Sequence, residues 1–279
     1  MSVSGEWQCV RRGKGAARRK NTVPAENKPA PERSDTPRDK LRITEAQNDL
    51  RCEGFWLEWR DLLSGCLAEF GGNSCVDKTV KEAELDCVCY GLGNFSSCVS
   101  ARYQLAMLLL LLDALQIPLE SCSVYDPVFT VSEAEILREL GFIVLTENEE
   151  GKRAVCHPTI FYLMHCGKAL YNNLLWRNWS LHVLPKVIII GNSFLGIQER
   201  MIQRELERDY SFLSDIINVC VETSLPCSQR FLDVFNDTAL IRFPSDKLHK
   251  LPESMWTDPM EPQYQHCQGL EIIQRESRS

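Results

Sequence analysis

The chain has 279 residues, a length that fits one large domain or two small ones around a sizeable core. Its formal net charge is −7, yet residues 1–40 hold ten Lys or Arg against five Asp or Glu, so the acidic excess lies in the rest of the chain. An acidic body argues against direct nucleic-acid binding by the folded domain. The longest apolar run, residues 105–112, falls far short of the ~20 residues that span a bilayer, which excludes a membrane protein.

The cysteine content and the N-terminal composition indicate a cytoplasmic protein. Thirteen cysteines are present, an odd number, and the N-terminus is polar and basic with no apolar signal-peptide core. We therefore expect free thiols in a reducing compartment. Residues 1–40 contain almost no large apolar side chains and are predicted to be a disordered basic tail. Its basic clusters at residues 11–14 and 18–20 are either a solvated tail or a signal for nuclear entry.

Residues 41–245 are predicted to form one α/β domain, followed by a loose, Pro-containing tail at residues 246–279. Residues 43–70 repeat apolar and aromatic side chains at helical spacing, which predicts one or two helices with an aromatic face docked on a sheet. From residue 85 onward, strands and helices alternate, and this part carries the core motifs of the domain (residues 85–245).

Six strands and four long helices are predicted in this alternating part. The strands are at residues 85–90, 122–126, 142–146, 159–164, 186–190 and 239–243, and the helices are at residues 98–115, 131–140, 167–178 and 196–220. Strands that alternate with helices predict a Rossmann-like three-layer α/β fold with a mainly parallel sheet, a helical N-terminal extension and flexible ends.

A glycine turn follows the first predicted strand. Gly91 and Gly93 come directly after the apolar run 85–90, and a long helical segment begins a few residues later. Glycine allows a tight turn and a close approach of a ligand, and the helix N-terminus presents free N–H groups. The sequence therefore predicts a pocket for a nucleotide-type ligand beside Gly91, Gly93 and Asn94. Ser96 occupies the third glycine position of the dinucleotide fingerprint, so the motif does not identify the ligand.

Polar side chains also follow three later strands. The carboxyl ends of parallel strands share one edge of the sheet, where ligands bind in doubly wound folds. We therefore expect the glycine turn, Asp126, His165 and Asn192 to surround one pocket. Asp126 could accept hydrogen bonds from two ribose hydroxyl groups, although it lies 33 residues after Gly93, where about 20 is usual. A turn-forming role before Pro127 is an equal alternative.

His165 and Cys166 are the weak catalytic candidates. They end the strand predicted at 159–164, where a histidine could be a general base or a metal ligand. Cys166 would have a lowered thiol pKa if its side chain faced the N–H groups of the next helix. The alternatives are a hydrogen-bonded histidine at the pocket edge and an ordinary cysteine at a helix start. A zinc site shared with Cys156 and His157 is rejected, because a strand at ~3.3 Å per residue separates the pairs by ~25 Å. No metal is predicted.

Asn192 and Ser193 follow the fifth predicted strand at a strand–turn–helix position. The sequence of residues 191–196 lacks the Gly-x-Ser-x-Gly pattern of a nucleophile elbow. Asn192 is therefore interpreted as a hydrogen-bonding amide beside the ligand. Ser193 belongs to the same predicted pocket edge, and capping of the following helix would by itself explain this serine.

Five segments resemble the "Sensitivity to Red Light Reduced" (SRR-like) family, in the order that the family has them. They are VCYGLGNF (88–95), RYQLAMLLLLLDAL (102–115), VYDPVFTVSEAEILRELGFIVL (124–145), HPTIFYLMHCGKALYNNLLWRNW (157–179) and KVIIIGNSF (186–194). The resemblance covers residues 85–245. It implies a regulatory protein with protein partners: clock and light-signalling function in plants, and regulation of haem biosynthesis and core clock-gene expression in animals. It implies no reaction for any named residue.

Three functions stay open at this point. The first is the regulatory protein, with a small-molecule pocket of nucleotide type. The second is an S-adenosylmethionine-dependent methyltransferase, because a strand, a glycine turn and a helix followed by an acidic strand end are also the outline of that class. The third is an interaction scaffold without a ligand. Direct haem binding by His165 or Cys166 is disfavoured, because the Cys-Pro dipeptide of haem sensing is absent from the sequence.

Overall fold

The computed structural model of the protein describes residues 36–71, 85–264 and 267. The basic clusters and most of the tail predicted to be disordered, residues 1–35, lie outside the described residues. The last residues of that predicted tail, 36–40, form the beginning of the first helix.

Seven strands form one sheet within the described residues. They are β1 (Asp86–Tyr90), β2 (Cys122–Tyr125), β3 (Ile143–Val144), β4 (Thr159–Leu163), β5 (Val187–Asn192), β6 (Val221–Ser224) and β7 (Thr238–Arg242). Their order across the sheet is β3-β2-β1-β4-β5-β7-β6. Strands β1 to β5 run parallel, and β7 runs antiparallel to both of its neighbours, β5 and β6. The predicted mainly parallel sheet is confirmed.

Helices cover both faces of this sheet. One face carries α1 (Thr36–Arg51), α2 (Gly54–Gly71), α3 (Val99–Ala114), α4 (Val131–Leu140) and α9 (Leu232–Phe235). The other carries α5 (Lys168–Arg177), α6 (Phe194–Arg200), α7 (Gln203–Asp209), α8 (Ser211–Ile217) and α10 (Ser245–Leu248). In the part of the chain that the structure describes, no helix is long and apolar enough to cross a membrane.

The strands contribute alternate side chains to the two faces. In β1, Cys87 and Cys89 belong to the core on the side of α1 to α4, whereas Val88 and Tyr90 belong to the core on the side of α5 to α8. A sheet covered on both faces needs apolar side chains at every position, which explains the continuous apolar sequence of the central strand β5. The three-layer α/β arrangement follows from these two cores.

The N-terminal helices extend the first of these layers. The apolar run Leu105–Leu112 of α3 is buried along its whole length, and α1 packs on α3 with Leu50 fully buried. The aromatic face of α2 is also buried. Phe55 and Trp59 lie with their rings 5.9 and 5.4 Å from the ring of Phe235, so this face docks on α9.

The structure differs from two predictions for the C-terminal third. The single helix expected over residues 196–220 is three short helices, because the backbone is extended at Met201 after α6 and has a non-helical conformation at Tyr210 between α7 and α8. Strand β6 follows these helices and was not predicted. The tail expected to be loose from residue 246 packs against the domain as far as Tyr264, whose side chain is buried.

Candidate functional site

A cavity of about 840 Å³ lies at the carboxyl ends of β1, β2, β4 and β5. We call it the rim cavity, and its lining includes Gly91, Asp126, His165, Cys166 and Asn192. Strands β2 and β3 lie on one side of β1, and β4 and β5 lie on its other side, so the strand order reverses between the neighbours β1 and β4. Doubly wound folds bind ligands at such a switch point. The structure thus brings together side chains from all four predicted strand ends.

Gly91 is a position where only glycine fits without a change in its surroundings. Its φ is +69°, in the left-handed region that favours glycine. A Cβ atom here would lie 2.6 Å from Sγ of Cys166. The N–H of Gly91 donates to the carbonyl oxygen of Tyr125 at 3.2 Å, which extends the pairing of β1 with β2 into the turn. The turn is therefore built for close packing, as the sequence predicts.

Asp126 fastens the glycine turn to the end of β2. One carboxylate oxygen accepts the N–H of Gly93 at 2.7 Å, and the other accepts the N–H of Val128 at 2.9 Å. The second bond is the local turn that sequence reasoning gave as the alternative to ribose binding. A carboxylate has about four lone-pair sites, so two backbone bonds leave acceptor capacity on a side chain that lines the rim cavity.

Side chains of the protein also bind other polar groups of the turn after β1. Oδ1 of Asn94 accepts both the N–H and the hydroxyl of Ser97, at 2.9 and 2.8 Å. The N–H of Ser96 donates to the fully buried carboxylate of Glu133 at 2.9 Å. Neither Gly93 nor Asn94 lines the rim cavity. Of the three residues predicted in this turn, Gly91 lines the cavity, whereas Gly93 and Asn94 lie outside its lining.

His165 lies at the mouth of the rim cavity, with a positive φ of 53°. Its Nε2 is 2.9 Å from the carbonyl oxygen of Val234. A carbonyl oxygen only accepts, so Nε2 carries the proton and Nδ1 of the neutral ring is an acceptor. The side chain is exposed and its orientation is fixed by that one backbone contact. This is the hydrogen-bonded histidine of the pocket edge, with one ring nitrogen available to a ligand.

Cys166 does not have the lowered thiol pKa that a position facing a helix N-terminus would give. Its Sγ lies 3.3 Å from the carbonyl oxygen of Tyr90 and 3.8 Å from that of Met164, and so points to acceptors instead of helix N–H groups. Burial, together with the smaller effect of the negative charge of Asp126, raises the thiol pKa to about 12. A thiol in this state is protonated at neutral pH, which makes it a poor nucleophile.

Asn192 and Ser193 have separate roles. The side-chain amide of Asn192 lines the rim cavity and donates to the carbonyl oxygen of Cys166 at 2.9 Å. Ser193 caps α6, because its Oγ accepts the N–H of Gly196 at 2.8 Å. Its hydroxyl donates to Glu222 of β6 at 2.5 Å, and it does not line the cavity. Capping, which alone would explain this serine, is the role that the structure shows.

One wall of the rim cavity was missed by sequence reasoning. Glu150 and Gly151 belong to the loop between β3 and β4 and line the cavity. A Cβ atom at Gly151 would lie 2.6 Å from the carbonyl oxygen of Leu170, so the loop lies directly on α5. The phenol of Tyr90 donates to Glu149 of the same loop. Burial and this carboxylate raise the pKa of Tyr90. The polar sequence of this loop contains no signal that would place it at a ligand site.

The opposite wall carries charges of both signs. Arg200 at the end of α6 forms an ion pair with Asp237, which immediately precedes β7. Lys168 opens α5, with its Nζ 5.9 Å from the ring centre of Tyr210. Together with Asp126, these residues give the cavity both hydrogen-bond donors and acceptors. The positions of Arg200 and Asp237 depend on the end of α6 inside the helix expected over residues 196–220 and on the antiparallel direction of β7, and neither was predicted.

Metal binding has no support among residues 36–71 and 85–264. No group of three or more His, Cys, Asp or Glu side chains in these ranges is placed to hold a metal ion. The lining of the rim cavity supplies residues that could contact an organic ligand.

A family model described as the SRR1 domain matches residues 67–242, a span that contains all seven strands of the described sheet. The chain belongs to the SRR1 family. The SRR1-like protein of Mus musculus is 41% identical over 233 residues, which cover 75% of this chain and 93% of the mouse protein. No solved structure matches the chain.

Two more distant relatives show how far the similarity extends. The SRR1-like protein of Drosophila melanogaster is 34% identical over 171 residues, 61% of this chain and 59% of the fly protein. Protein SENSITIVITY TO RED LIGHT REDUCED 1 of Arabidopsis thaliana is 33% identical over 154 residues, 55% of this chain and 52% of the plant protein. The aligned regions thus cover just over half of these two proteins.

Proposed function

We propose that this SRR1-family protein is a regulatory protein that acts through a small molecule bound in the rim cavity. The observation that supports this proposal most is the cavity itself. Its volume of about 840 Å³ falls within the ~300–1,000 Å³ of most ligand pockets, and it lies at the switch point of the sheet. Its lining combines aromatic rings, amides and charges of both signs, which is the composition of a site for a polar organic molecule.

The biological setting of the proposal comes from the family. The plant relative is named for sensitivity to red light. Resemblance to the family points to haem biosynthesis and core clock-gene expression as the processes regulated in animals. We place the protein in the cytoplasm, with nuclear entry through the basic clusters of its N-terminal tail, and we expect protein partners to respond to the ligand-bound form.

The strand order supports methyl transfer as a second candidate function. Strands β1 to β5 have the 3-2-1-4-5 order of the Rossmann sheet, and the antiparallel β7 is inserted between β5 and β6. Methyltransferases of the Rossmann type that use S-adenosylmethionine share this inserted, reversed strand. In this candidate Gly91 and Asp126 lie beside the cofactor, and His165 or Asn192 faces the substrate. Conversion of S-adenosylmethionine to its homocysteine product by the protein with cell extract distinguishes an enzyme from a regulator that only binds.

The regulatory proposal is tested by filling the rim cavity in cells. Asn236 is exposed and lines the cavity at the end of α9, whereas Asp233 is exposed on the same helix and does not line it. We expect Asn236→Trp to fail to restore haem content and clock-transcript amplitude in cells that lack the protein. The matched variant Asp233→Trp adds the same side chain outside the cavity and is expected to restore both. Equal rescue by the two variants, at equal protein level, would contradict the proposal.

A further inference from the structure

We propose that the rim cavity takes a nucleoside whose ribose carries no phosphate, an inference that rests on the proposed function of the cavity as a small-molecule site. It follows from three features of the structure: the state of the N–H groups in the turn after β1, the position of Asp126, and the rings that line the cavity. The first two features share the hydrogen bond from Gly93 to Asp126, and each of the three restricts the ligand in a different way.

Two N–H groups in the region where Rossmann folds hold a pyrophosphate are occupied by the protein's own side chains. In those folds the phosphates lie on the N–H groups of the glycine turn and of the helix that follows. Here the N–H of Gly93 donates to Asp126 at 2.7 Å and the N–H of Ser96 donates to Glu133 at 2.9 Å. A phosphate at this turn would have to displace two carboxylates that carry the same sign of charge.

The helix after the turn is also set back from the cavity. Helix α3 begins at Val99, after a separate turn closed by Asn94 and Ser97. Within the described residues, Gly91 is the part of the β1–α3 loop that lines the rim cavity, and its N–H already donates to Tyr125. The glycine turn therefore shapes the floor of the cavity and offers no phosphate site there.

Asp126 remains in the position where Rossmann folds bind a ribose. The acidic residue that accepts ribose hydroxyl groups follows the strand next to the glycine turn. Asp126 follows β2, which pairs with β1, and it lines the cavity. Its two backbone bonds leave lone pairs for a pair of hydroxyl groups. The site thus keeps a carboxylate that can accept ribose hydroxyl groups, while the N–H groups of Gly93 and Ser96 already donate to the protein's own carboxylates.

The remaining lining suits a nucleobase. Tyr125, Leu170 and Met201 give the cavity aromatic and apolar lining. Tyr90 also lines it but is buried, with its phenol bound to Glu149. The amide of Asn192 can contact the edge of a base. S-Adenosylmethionine is one molecule of this class, because its adenosine carries a sulfonium group where nucleotides carry phosphate.

The experiment is a thermal-shift and calorimetric comparison on the full chain. The probes are adenosine, guanosine, cytidine and uridine, each beside its 5′-monophosphate, together with S-adenosylhomocysteine. Ligands that bind the native state raise its stability in proportion to the logarithm of their concentration over Kd. We expect adenosine or another of these nucleosides to bind at least tenfold more tightly than its own monophosphate. Its 2′,3′-dideoxy form, which lacks the hydroxyl groups that Asp126 would accept, is expected to lose most of this affinity.

The outcomes separate this inference from the proposed function. A monophosphate that binds as tightly as its nucleoside, or more tightly, would overturn the inference and would leave the cavity a ligand site. Lys168 at the start of α5 and Arg200 at the end of α6 are the cationic side chains of the cavity lining that such a phosphate would contact. Equal binding of a nucleoside and its dideoxy form would overturn the role of Asp126. Binding of none of these probes would overturn the inference, and the metabolite dialysis described in the Discussion then decides the proposed function by itself.

Discussion

At the scale of single residues, Asp126 joins two strand ends through its carboxylate. Replacement by Ala leaves the N–H groups of Gly93 and Val128 without their acceptors. A buried donor left unpaired costs about 1–3 kcal/mol. Because Asp126 is half-buried and two donors lose their acceptor, we expect the free energy of unfolding to fall by about 2 kcal/mol. Equilibrium unfolding in urea measures this change as a lower midpoint at an unchanged slope.

The matched control for that prediction is Asp113→Ala. Asp113 is exposed on α3, so its replacement removes the same charge away from the glycine turn. We expect a change below about 0.5 kcal/mol for this surface variant. Equal midpoints for Asp126→Ala and Asp113→Ala would show that Asp126 does not fasten the turn.

The reactivity of Cys166 is a second prediction at this scale. Its thiol is buried and its pKa is raised to about 12. Alkylation requires the thiolate. We therefore expect iodoacetamide at neutral pH to modify the exposed Cys98 and Cys156 first, and to reach Cys166 only after unfolding. Peptide mapping by mass spectrometry follows each site. Modification of Cys166 in the native protein as fast as Cys98 would contradict the buried position.

Sequence reasoning found the positions of the site residues better than it found their contacts. Gly91, Asp126 and Asn192 line the rim cavity because parallel strands must end at one edge. The direction of each side chain depends on partners far along the chain. Cys166 points to a carbonyl of β1, and Ser193 donates to Glu222 in a strand that was not predicted. Periodicity contains no information on such contacts.

At the scale of elements, the segment after α10 packs against α5. The rings of Trp179 and Trp256 stack at 5.2 Å. The phenol of Tyr264 contacts three polar groups of α5: it accepts from the amide of Asn172 at 3.0 Å and lies 2.8 Å from Oδ1 of Asn173 and 3.2 Å from the carbonyl oxygen of Ala169. Trp256 and Tyr264 supply the aromatic contacts by which this proline-containing, mostly polar segment packs on the domain.

Removal of the Tyr264 hydroxyl tests this packing. Tyr264→Phe removes the acceptor of the Asn172 amide N–H and the hydroxyl that contacts Oδ1 of Asn173, and both amides are buried, so we expect a loss of about 1–3 kcal/mol in unfolding free energy. The amide of Asn173 also donates to the carbonyl oxygen of Glu150 in the cavity wall, at 2.8 Å. Hydrogen exchange should therefore become faster in the loop around Glu150 as well. Ser254→Ala, which removes an exposed hydroxyl from the same segment, is the control expected to change neither measurement.

Asp49 of α1 contacts Tyr103 and Arg230, and this contact predicts a loss of stability at acid pH. The hydrogen bond from Tyr103 and the charge of Arg230 lower the pKa of Asp49. A carboxyl group with a lowered pKa in the folded state stabilises the protein above its unfolded pKa, ~3.9, and loses this contribution as the pH falls through the folded value. We expect a small effect, because Asp49 is largely exposed.

The test compares the urea unfolding midpoints of the native protein and of Asp49→Asn at about pH 6 and at about pH 3. The stabilising contribution of the Asp49 carboxylate should be lost between these two pH values. The native protein should lose more stability than the variant on acidification. Asp113→Asn, at an exposed position of α3, is expected to follow the native protein. Parallel losses in native protein and Asp49→Asn would show that the contact does not contribute.

The bounds of an element were predictable where local chemistry sets them. Helix α4 begins after Thr130, which forms a capping box with Glu133, and it ends at Gly141 with a φ of 110°. Residues 196–220 lack such signals inside the segment, so three helices read as one. Strand β6 has half-exposed side chains on a sheet edge, which gives neither an apolar run nor a clear alternation.

At the scale of the whole molecule, the sheet order places the rim cavity. Alternating strands and helices predict parallel strands, whose carboxyl ends share one edge of the sheet. The adjacent strands β1 and β4 mark the point on this edge where a ligand is expected to bind. The antiparallel direction of β7 could not be predicted from its own residues, because it depends on pairing with β5 and β6. Strand β7 completes the cavity with Asp237 and Asn236, which is why that wall was missing from the sequence-based site.

The most direct test of the ligand site is dialysis of the small-molecule fraction of cells against the purified full chain, with mass spectrometry of what the protein retains. Native protein and Asp233→Trp are predicted to enrich at least one common compound, and Asn236→Trp, whose new side chain fills the rim cavity, is predicted to lose it. Retention of the same compounds by all three proteins, or of none by any of them, would contradict a ligand site in this cavity.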